Sequence, residues 1–223
     1  MLTIGIETSL STGLVFLSRG EKILSSHKVP SHSSSKYLVS IVASILKKAN
    51  LSINKIDGLI VSKGPGSFTG LRIGISFAKS LSFCLKLPLA GISSLDCIAF
   101  CVPFSGIICS LIPAYRQSFF SAFFYKKGEI IEKVNDYLFL PLEGIMDKAK
   151  KFFPEKVVFV FPPEYMPFSV KLEPGLSLFK GKISLDKALL KLGLRSLESG
   201  KTVDPLLLKP IYVSAPLINK RRK

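Results

Sequence analysis

The stretch Lys63-Gly64-Pro65-Gly66-Ser67-Phe68-Thr69-Gly70-Leu71-Arg72-Ile73-Gly74 joins a short apolar run to a long helical pattern. Glycine permits positive φ at positions 64 and 66, proline stiffens the turn between them, and Ser67 is a good helix N-cap. The pattern therefore predicts a buried strand over Leu59 to Ser62, a tight turn, and a helix from about Ser67 to Lys86.

The backbone N–H groups at such a helix start form an anion site in principle. The candidate residues for this site are Gly64, Pro65, Gly66, Ser67, Phe68, Thr69, Gly70, Leu71 and Arg72. The loop is not a Walker A loop, because Leu71 rather than a lysine follows Gly70. It is not a dinucleotide fingerprint, because Thr69 stands where a third glycine is needed. The alternative interpretation is a tight strand-to-helix turn that binds no ligand.

The elements around this turn repeat along the chain. The first hundred residues follow the order of three strands, a helix, a strand and a helix, and then a short strand and a helix. A similar order begins again at Ile107, and its third strand is expected to run from Glu129 to Phe139. We interpret this order as an internal duplication, with lobes at 1–102 and 103–223. The last helix, about 184–200, is a candidate to return to the first lobe.

Two of the predicted helices carry more apolar surface than one core needs. The first helix has an apolar arc of roughly 200°, about twice what a helix on a sheet requires, formed by Tyr37, Leu38, Val39, Ile41, Val42, Ile45 and Leu46. The second helix, about Ser67 to Lys86, has a similarly broad arc. Either both helices are enclosed within one fold, or their outer faces contact another subunit.

A candidate partner interface follows from the second of these interpretations. It comprises Tyr37, Ile41, Ile45, Ile73, Phe77 and Leu81. Gly70 and Gly74, four residues apart on the second helix, would also let another backbone approach closely. Only a narrow polar strip remains on that helix, at Arg72, Ser76, Lys79 and Ser80.

Composition bounds the class of protein. Of the 223 residues, 48% are hydrophobic and 21% are charged, which supports a large core and excludes a disordered chain. Thirty-one Lys+Arg against 15 Asp+Glu give a net charge of +16, which favours polyanionic partners such as nucleic acid, unless the whole source proteome is basic. The cysteines form no CxxC pair and are expected to be buried, reduced thiols of an intracellular protein: Cys84, Cys97, Cys101 and Cys109. The longest uncharged run, Cys97 to Tyr115, contains prolines and a glycine, so no membrane span is expected.

The string GPGSFTGLRIG at residues 64–74 resembles, nearly residue for residue, the signature of the bacterial TsaB (YeaZ) family, whose members take part in making threonylcarbamoyladenosine in tRNA. Weaker similarities flank this string over most of the chain. They are Ile4-Gly5-Ile6-Glu7-Thr8-Ser9, Ser31-His32-Ser33, Gly91-Ile92-Ser93-Ser94-Leu95, Gly200-Lys201-Thr202 and Lys209-Pro210-Ile211-Tyr212-Val213.

The resemblance implies an α/β, actin-like (ASKHA) fold of two ribonuclease H-like lobes, each with a mixed sheet and flanking helices. It also implies a scaffold without catalytic residues or metal ligands of its own. Such a scaffold pairs with a TsaD-like catalytic subunit through the two apolar helices and helps recruit a TsaE-like ATPase. ATP and a divalent metal would then belong to the partner subunits, and tRNA would be contacted through the complex. The resemblance further implies a cytoplasmic protein and a homodimer as a candidate state of the chain alone.

The chain departs from the family pattern at three places. Glu7 replaces the usual aspartate. The second-lobe hairpin reads Pro113-Ala114-Tyr115-Arg116-Gln117-Ser118, where relatives have Asp-Ala-Arg followed by Gly-Glu, and Val213-Ser214 replaces Leu-Arg. These changes argue against an ionic partner for the second lobe and leave the first-lobe string intact.

The alternative function is that of an actin-like, metal- and ATP-dependent enzyme of the glycoprotease-like family that acts on its own. Such an enzyme would carry a helical HxxxH metal pair, whereas His27 and His32 are five residues apart and flank Pro30 in a loop. Glu7 would be able to hold Mg²⁺ through water, but no second acidic residue stands at a comparable turn. The residues therefore favour a scaffold over an enzyme.

Two other activities are weaker candidates. A Ser-His-Asp hydrolase would need Ser33, His32 and Asp57 or Asp96, but neighbouring residues at a helix entry do not face one another. Direct RNA binding would depend on the basic residues Arg19, Lys22, Lys28, Lys36, Lys47, Lys48 and Lys220-Arg221-Arg222-Lys223. Because no recognised RNA module or array of stacking aromatics accompanies these residues, we expect only a diffuse electrostatic contribution within a complex.

Overall fold

The computed structural model describes residues 1–30, 34–165 and 172–214. The strands are Leu2–Glu7 (β1), Thr12–Arg19 (β2), Lys22–Pro30 (β3), Gly58–Ser62 (β4), Leu89–Ile92 (β5), Gly106–Pro113 (β6), Ser118–Lys127 (β7), Ile130–Lys133 (β8), Leu138–Pro141 (β9), Val157–Val160 (β10) and Leu176–Leu178 (β11). The α-helices are Ser34–Lys48 (α1), Phe68–Leu85 (α2), Ser94–Phe100 (α3), Leu142–Ala149 (α4) and Leu185–Glu198 (α5). Short 3-10 turns cover Ile53–Lys55, Lys150–Phe152 and Pro163–Tyr165.

The first sheet is built around β1. Its order is β3-β2-β1-β4-β5, antiparallel from β3 to β1 and parallel from β1 to β5. Every residue of β1 is buried, as is typical of a central strand covered on both faces. In parallel sheets of this kind, the carboxyl ends of the parallel strands lie at one edge, which is where loops form sites. Glu7 and Ser62, the last residues of β1 and β4, therefore lie at the same edge.

The second sheet has the same plan. Its order is β11-β10-β6-β7-β8, and β9 also pairs with β7. The neighbours of β6 are antiparallel β7 and parallel β10, as those of β1 are antiparallel β2 and parallel β4. Both sheets are therefore mixed, with the same strand directions around the central strand, which agrees with the duplication inferred from the sequence.

Helices cover both faces of each sheet. α1 and α2 pack on one face of the first sheet, where Leu38, Val42 and Ile75 join its core. α5 packs on the opposite face, where Leu190 and Leu194 contact the cluster around Ile60. α3 packs on the β6–β7 side of the second sheet and also contacts α5, while α4 covers the other face of that sheet. Two helices, α3 and α5, thus lie between the sheets.

α5 also connects the two sheets through its charged side. Glu129, in the turn between β7 and β8, accepts hydrogen bonds from Lys191 and Arg195 of α5. The Lys191 hydrogen bond, followed by the charges of Lys191 and Arg195, lowers the pKa of the Glu129 carboxyl. The last helix therefore contacts the first sheet through apolar residues and the second sheet through Leu185 and these ionic hydrogen bonds.

One strand prediction is wrong. The run from Glu129 to Phe139 is not a single strand, because it is divided into β8 and β9, which pair with different parts of β7. Asn135 lies at the break, where its side-chain oxygen accepts a hydrogen bond from the Phe123 amide at 2.8 Å. An asparagine side chain thus takes the place of a backbone partner and lets the chain change direction. The predicted lobe boundary at residues 102 and 103, between α3 and β6, stays a prediction.

No helix of the described residues has the length and apolar character that a membrane span requires.

The contact between α5 and the first sheet gives a testable prediction. Gly193 of α5 is buried, and a Cβ at this position would overlap the side chain of Ile60 in β4. We expect Gly193→Ala to lower the free energy of unfolding by about 1–3 kcal/mol, because a packed core resists added volume. The measurement is chemical denaturation followed by circular dichroism.

Gly144→Ala is the matched control. Gly144 lies in α4, and an added Cβ there would be 3.7 Å from Leu140 Cβ, an ordinary contact. Since alanine favours a helix over glycine, this variant should be as stable as the parent or about 0.5–1 kcal/mol more stable. Equal effects of the two substitutions would contradict the packing of α5 on β4.

Candidate functional site

The first feature of the site is a buried carboxylate at the end of β1. Glu7 is 3% exposed, and its Oε1 accepts hydrogen bonds from the Ser9 amide, from Ser9 Oγ at 2.7 Å and from the Leu10 amide at 3.3 Å. Its Oε2 accepts a hydrogen bond from Ser94 Oγ at 3.2 Å. Four donors of the same chain therefore surround this carboxylate, as a buried charge requires. The carboxylate fixes the turn after β1.

A cluster of serine hydroxyls extends from this carboxylate. Ser94 Oγ, in the first turn of α3, lies 3.0 Å from Ser9 Oγ and 2.7 Å from Ser62 Oγ at the end of β4. All three serines are buried. The cluster joins β1, β4 and α3, so hydrogen bonds connect these three elements at the edge of the first sheet.

The glycine-rich turn packs directly against the turn after β1. Gly64 has φ of +89°, as the sequence predicted, and the Ser67 side chain caps α2 by accepting a hydrogen bond from the Gly70 amide at 3.3 Å. Gly66 has no positive φ. A Cβ on Gly66 would instead collide with the Ser9 carbonyl oxygen, and one on Gly70 would overlap the Thr8 carbonyl oxygen. The string therefore contains glycines mainly because two backbone segments touch.

Gly74 continues the same contact. A Cβ at Gly74 would overlap Thr8 Oγ1, which donates a hydrogen bond to the Gly70 carbonyl oxygen at 2.7 Å. Gly70 and Gly74 are both buried against this chain's own Thr8. The expectation that Gly70 and Gly74 admit the backbone of another subunit is therefore corrected, because Thr8 of the same chain occupies that space.

The start of α2 already uses some of its N–H groups. The Ser67 amide donates to the Ser9 carbonyl oxygen at 2.7 Å, and the Gly70 amide donates to its cap. Arg72 is exposed, and its guanidinium lies 3.9 Å from the centre of the Phe68 ring. The positive φ of Gly64 and the packing of Gly66, Gly70 and Gly74 account for the glycines of the string, and anion binding by residues 64–72 stays a prediction.

A cavity of about 520 Å³ lies between the lobes, beside this turn. Its described lining residues are Ser9, Leu10, Ser11, Gly66, Ser67, Phe68, Ile112, Pro113, Ala114, Tyr115, Phe120, Tyr165, Ile211, Tyr212, Val213 and Ser214. None of these is charged. One polar contact at the cavity joins the lobes, since Ser11 Oγ donates to Glu164 at 2.5 Å. A second joins the hairpin to the closing segment, since Tyr115 Oη lies 2.7 Å from Ser214 Oγ.

Two departures from the family pattern meet at this cavity. Tyr115 lies in the second-lobe hairpin, and Ser214 lies in the closing segment, where the sequence differs from the family at both places. The two hydroxyls are within hydrogen-bond distance of each other. Two neutral hydroxyls therefore meet at this side of the cavity, and the absence of an ionic partner for the second lobe stays a prediction.

The predicted partner interface is divided by the structure. Tyr37 is 41% exposed, and the half-buried side chains of Ile41, Ile73, Phe77 and Leu81 pack at the margin of the first core. Ile45 is only 2% exposed and lies inside that core, together with Leu38, Val42 and Leu46. Its assignment to a partner interface is therefore corrected. The face of α1 that contacts the sheet includes Ile45, so a partner is unable to reach it.

A family model described as TsaD, tRNA N6-adenosine threonylcarbamoyltransferase, matches residues 22–170, which is more than half of the chain. The chain belongs to the TsaD family. Among the curated relatives, the tRNA threonylcarbamoyladenosine biosynthesis protein TsaB of Bacillus subtilis (strain 168) is 33% identical over 94 residues, or 42% of this chain and 41% of that protein. The matched stretch thus spans about two fifths of that TsaB protein.

Solved structures confirm the fold predicted for this TsaD-family chain. A Pseudomonas aeruginosa protein described as similar to peptidase YeaZ superimposes with a TM-score of 0.76 at 20% identity, over 96% of this chain and 99% of that one. A ROK hexokinase from Thermus thermophilus superimposes with a TM-score of 0.52 at 10% identity, over 90% of this chain and 100% of that one. The α/β, actin-like fold with two lobes and mixed sheets is confirmed, as is the resemblance to the TsaB (YeaZ) proteins.

Sequence reasoning missed two features of the described structure that bear on function. One is the serine cluster of Ser9, Ser62 and Ser94, whose signal is a serine at each strand end or helix start on the same sheet edge. The other is Phe83 of α2, which is 63% exposed. On the helical wheel Phe83 falls within the predicted polar strip of α2, which comprises Arg72, Ser76, Lys79 and Ser80. An aromatic residue in an otherwise polar strip is the signal that would have found it.

The remaining candidates are the cysteines, the histidines with Ser33, and the basic run at residues 220–223. Burial raises the pKa of the Cys97 and Cys109 thiols well above the usual value and that of Cys101 to about 11, so these thiols are protonated at neutral pH. Cys84 is exposed, contrary to the expectation that all four cysteines are buried. No group of three or more His, Cys, Asp or Glu side chains suited to a metal occurs within residues 1–30, 34–165 and 172–214. His32, Ser33 and the basic run 220–223 lie outside the described residues.

The contact of the glycine string with Thr8 gives a prediction. Gly70→Ala should destabilise the protein by about 2 kcal/mol or more, because the Thr8 carbonyl is backbone and has no room to move aside. Ser80→Ala, on the exposed face of the same helix, should change the free energy of unfolding by less than about 0.5 kcal/mol. Thermal unfolding of both variants is the measurement, and an unchanged Tm for Gly70→Ala would contradict the close approach of the two segments.

Proposed function

We propose that this chain is a non-catalytic scaffold subunit of the assembly that makes threonylcarbamoyladenosine in tRNA, and that it pairs with a TsaD-like catalytic subunit. Membership of the TsaD family and the likeness to the TsaB protein of Bacillus subtilis support the process. The single observation that carries the scaffold role is the state of Glu7. Its carboxylate is buried and accepts hydrogen bonds from Ser9, Leu10 and Ser94.

A catalytic role would require the Glu7 carboxylate to hold a metal ion rather than the turn after β1. In an actin-like ATPase an acidic residue at this turn holds Mg²⁺ through water, and for that its oxygens must face the nucleotide. Here the same oxygens are directed to donors of the turn and of α3. The cavity next to this turn has no charged side chain among its described lining residues, although a nucleoside triphosphate needs cations or many N–H donors. The residues present thus do not fit a Mg²⁺–nucleotide, and we assign ATP and the divalent metal to the partner subunits.

The surface for the catalytic subunit is proposed to be the exposed seam of α1 and α2. Tyr37, Ile41, Ile73, Phe77 and Leu81 retain accessible apolar area there, after the core has taken the other faces of both helices. Neither helix contains an acidic residue. An apolar seam between two adjacent helices suits a helical partner, because helix ridges pack into the groove.

The same proposal covers the remaining partners. A TsaE-like ATPase would join the pair, tRNA would be bound by the whole complex in the cytoplasm, and the net charge of +16 would add a diffuse attraction for the RNA. When the chain is alone, the apolar seam would be free to form a homodimer with a second copy.

The second candidate function is an enzyme that acts on its own. The name of the matching family model, tRNA N6-adenosine threonylcarbamoyltransferase, favours it. Reconstitution separates the two functions: the scaffold proposal expects no modification by this chain with ATP and metal alone, and restoration of activity when it is added to the other subunits. Modification by the purified single chain would establish the enzyme instead.

Glu7 variants distinguish a structural carboxylate from a metal-binding one. In Glu7→Gln the amide oxygen can accept from Ser9 and Leu10, while the amide N–H donates to Ser94 Oγ, so we expect a fold and a complex activity close to those of the parent. Glu7→Ala leaves buried donors without an acceptor and should lower the free energy of unfolding by about 1–3 kcal/mol. The measurements are the Tm and the rate of tRNA modification by the reconstituted complex. A well-folded Glu7→Gln variant with activity reduced a hundredfold or more would support the enzyme.

Interface variants test the pairing surface. Ile41→Glu and Phe77→Glu should weaken binding to the catalytic subunit by about tenfold or more, since a carboxylate in an apolar contact loses its hydration. Ile45→Glu should instead unfold the first lobe, because it buries a charge in the core. Titration calorimetry and circular dichroism measure the two effects.

Ile130→Glu is the control for this set. Ile130 is 63% exposed and lies in β8 of the second sheet, so the same new charge is added away from α1 and α2. If both seam variants are folded and bind the catalytic subunit as tightly as the parent does, the seam is not the pairing surface.

A further inference from the structure

A second exposed apolar surface lies on the other side of α2. Phe83 is 63% exposed, and Leu206 and Leu207, in the segment after α5, are 66% and 68% exposed. Single exposed apolar residues are ordinary on protein surfaces, whereas several large ones close together are typical of a binding site. We call these three residues the Phe83 patch.

The segment that carries Leu206 and Leu207 is fastened along α2. Lys79 Nζ donates to the Leu206 and Leu208 carbonyl oxygens at 3.2 and 3.3 Å. Phe83 lies one helical turn beyond Lys79, on the same strip of α2, which brings it next to this segment. Leu208 is 4% exposed and belongs to the core of the first lobe, so it anchors the segment from below.

The turn itself is also held rigidly. Asp204 accepts hydrogen bonds from the Leu206 amide through its side chain, at 2.8 Å, and from the Leu207 and Leu208 amides through its carbonyl oxygen. The Val203 amide donates to the Leu89 carbonyl oxygen at 2.9 Å. Leu206 and Leu207 are therefore presented on an ordered backbone, which reduces the entropy lost when a partner binds.

Charge around the Phe83 patch is basic. Lys79 donates to the segment that carries Leu206, Lys86 is the C-cap of α2 three residues after Phe83, and Lys209 directly follows Leu208. The helix α2 has no acidic residue. Asp204, the acidic residue of the segment, is engaged by its own turn. A partner that covers Phe83, Leu206 and Leu207 must place its rim beside these lysines, so a rim of carboxylates is complementary and a basic rim is not.

The patch is separate from the α1–α2 seam. Viewed down α2, Phe83 is about 80° or more away from Ile73, Phe77 and Leu81, which lie on the side of α1. The segment that ends in Leu208 lies on the side of Lys79 and Phe83. One helix thus presents two apolar surfaces that face different ways.

We propose that the Phe83 patch is the docking surface for a second protein of the complex, one whose contact face is apolar and edged by carboxylates. The inference rests on the proposed function and extends it, because it gives the ATPase subunit a surface that stays free when the catalytic subunit occupies the α1–α2 seam. Binding at this surface combines burial of three large side chains with attraction to the lysine rim.

The test titrates the purified ATPase subunit into the preformed pair of this chain and its catalytic subunit. The variants are Phe83→Glu and the double substitution Leu206→Glu with Leu207→Glu, and Ile130→Glu is the matched control. We expect the patch variants to bind the ATPase at least about tenfold more weakly, with the catalytic subunit still bound as in the parent. Lys86→Glu should weaken the same step, and raising the salt concentration should weaken it in the parent.

Several results would overturn the inference. Unchanged ATPase binding by the patch variants would do so, as would loss of the catalytic subunit from them, since the patch would then belong to the first interface. A wild-type pair that forms but does not bind the ATPase would remove this surface and leave the pairing proposal standing. Failure of the wild-type pair to form would contradict the proposed function itself. A patch variant that loses only tRNA would assign the surface to nucleic acid instead.

Discussion

The contact between the turn after β1 and the start of α2 is the constraint on which the rest of the first lobe depends. The Thr8 and Ser9 backbone touches α2 where glycines leave room, and Glu7 fixes the turn from the inside. Side chains at positions 66 and 70 would push the helix away from the sheet. Because the helix axis is set here, this contact also sets which residues of α2 face α1 and which face the segment around Leu206. The contact at the start of α2 therefore decides which side chains are exposed near Phe83. That residue lies ~20 Å further along the helix, since an α-helix rises about 1.5 Å per residue.

A consequence of this arrangement is that the Glu7 carboxylate, at the edge of the first sheet, is hydrogen-bonded to donors of its own chain. In an actin-like fold this edge is suited to a metal and a nucleotide, and the parallel strands bring a carboxylate and hydroxyls to it. This chain has the same groups, Glu7 with Ser9, Ser62 and Ser94, but they are bonded to one another. The hydrogen bonds of the carboxylate to its own chain stabilise the turn after β1. The mixed sheets and helices of the actin-like fold are retained, and the partner surfaces that we propose lie on the outer faces of the helices.

Sequence reasoning recovered the local features and missed those set by tertiary contact. Positive φ at Gly64 and the Ser67 cap follow from local geometry, so the string predicted both. The need for glycine at position 66 comes from Ser9, which is 57 residues earlier, and no local pattern contains that information. The strand expected from Glu129 to Phe139 failed for a related reason, because the Asn135 side chain bonds to an amide of another strand. Ile41 and Ile45 are both apolar and adjacent on the helical wheel, and only the position of the sheet shows that one is accessible and the other is core.

The return of α5 to the first sheet affects how the chain is made. The five strands of that sheet are complete once Ile92 has been synthesised, yet one face, with Phe16 and Ile60, is covered by residues 185–198. During translation this face stays uncovered until the whole second sheet and then α5 have emerged from the ribosome. Contacts between residues so far apart in sequence slow folding and leave apolar surface open to chaperones or to aggregation. In a nascent chain that stalls before Leu185, the first lobe therefore has one sheet face exposed, even when all five of its strands are paired.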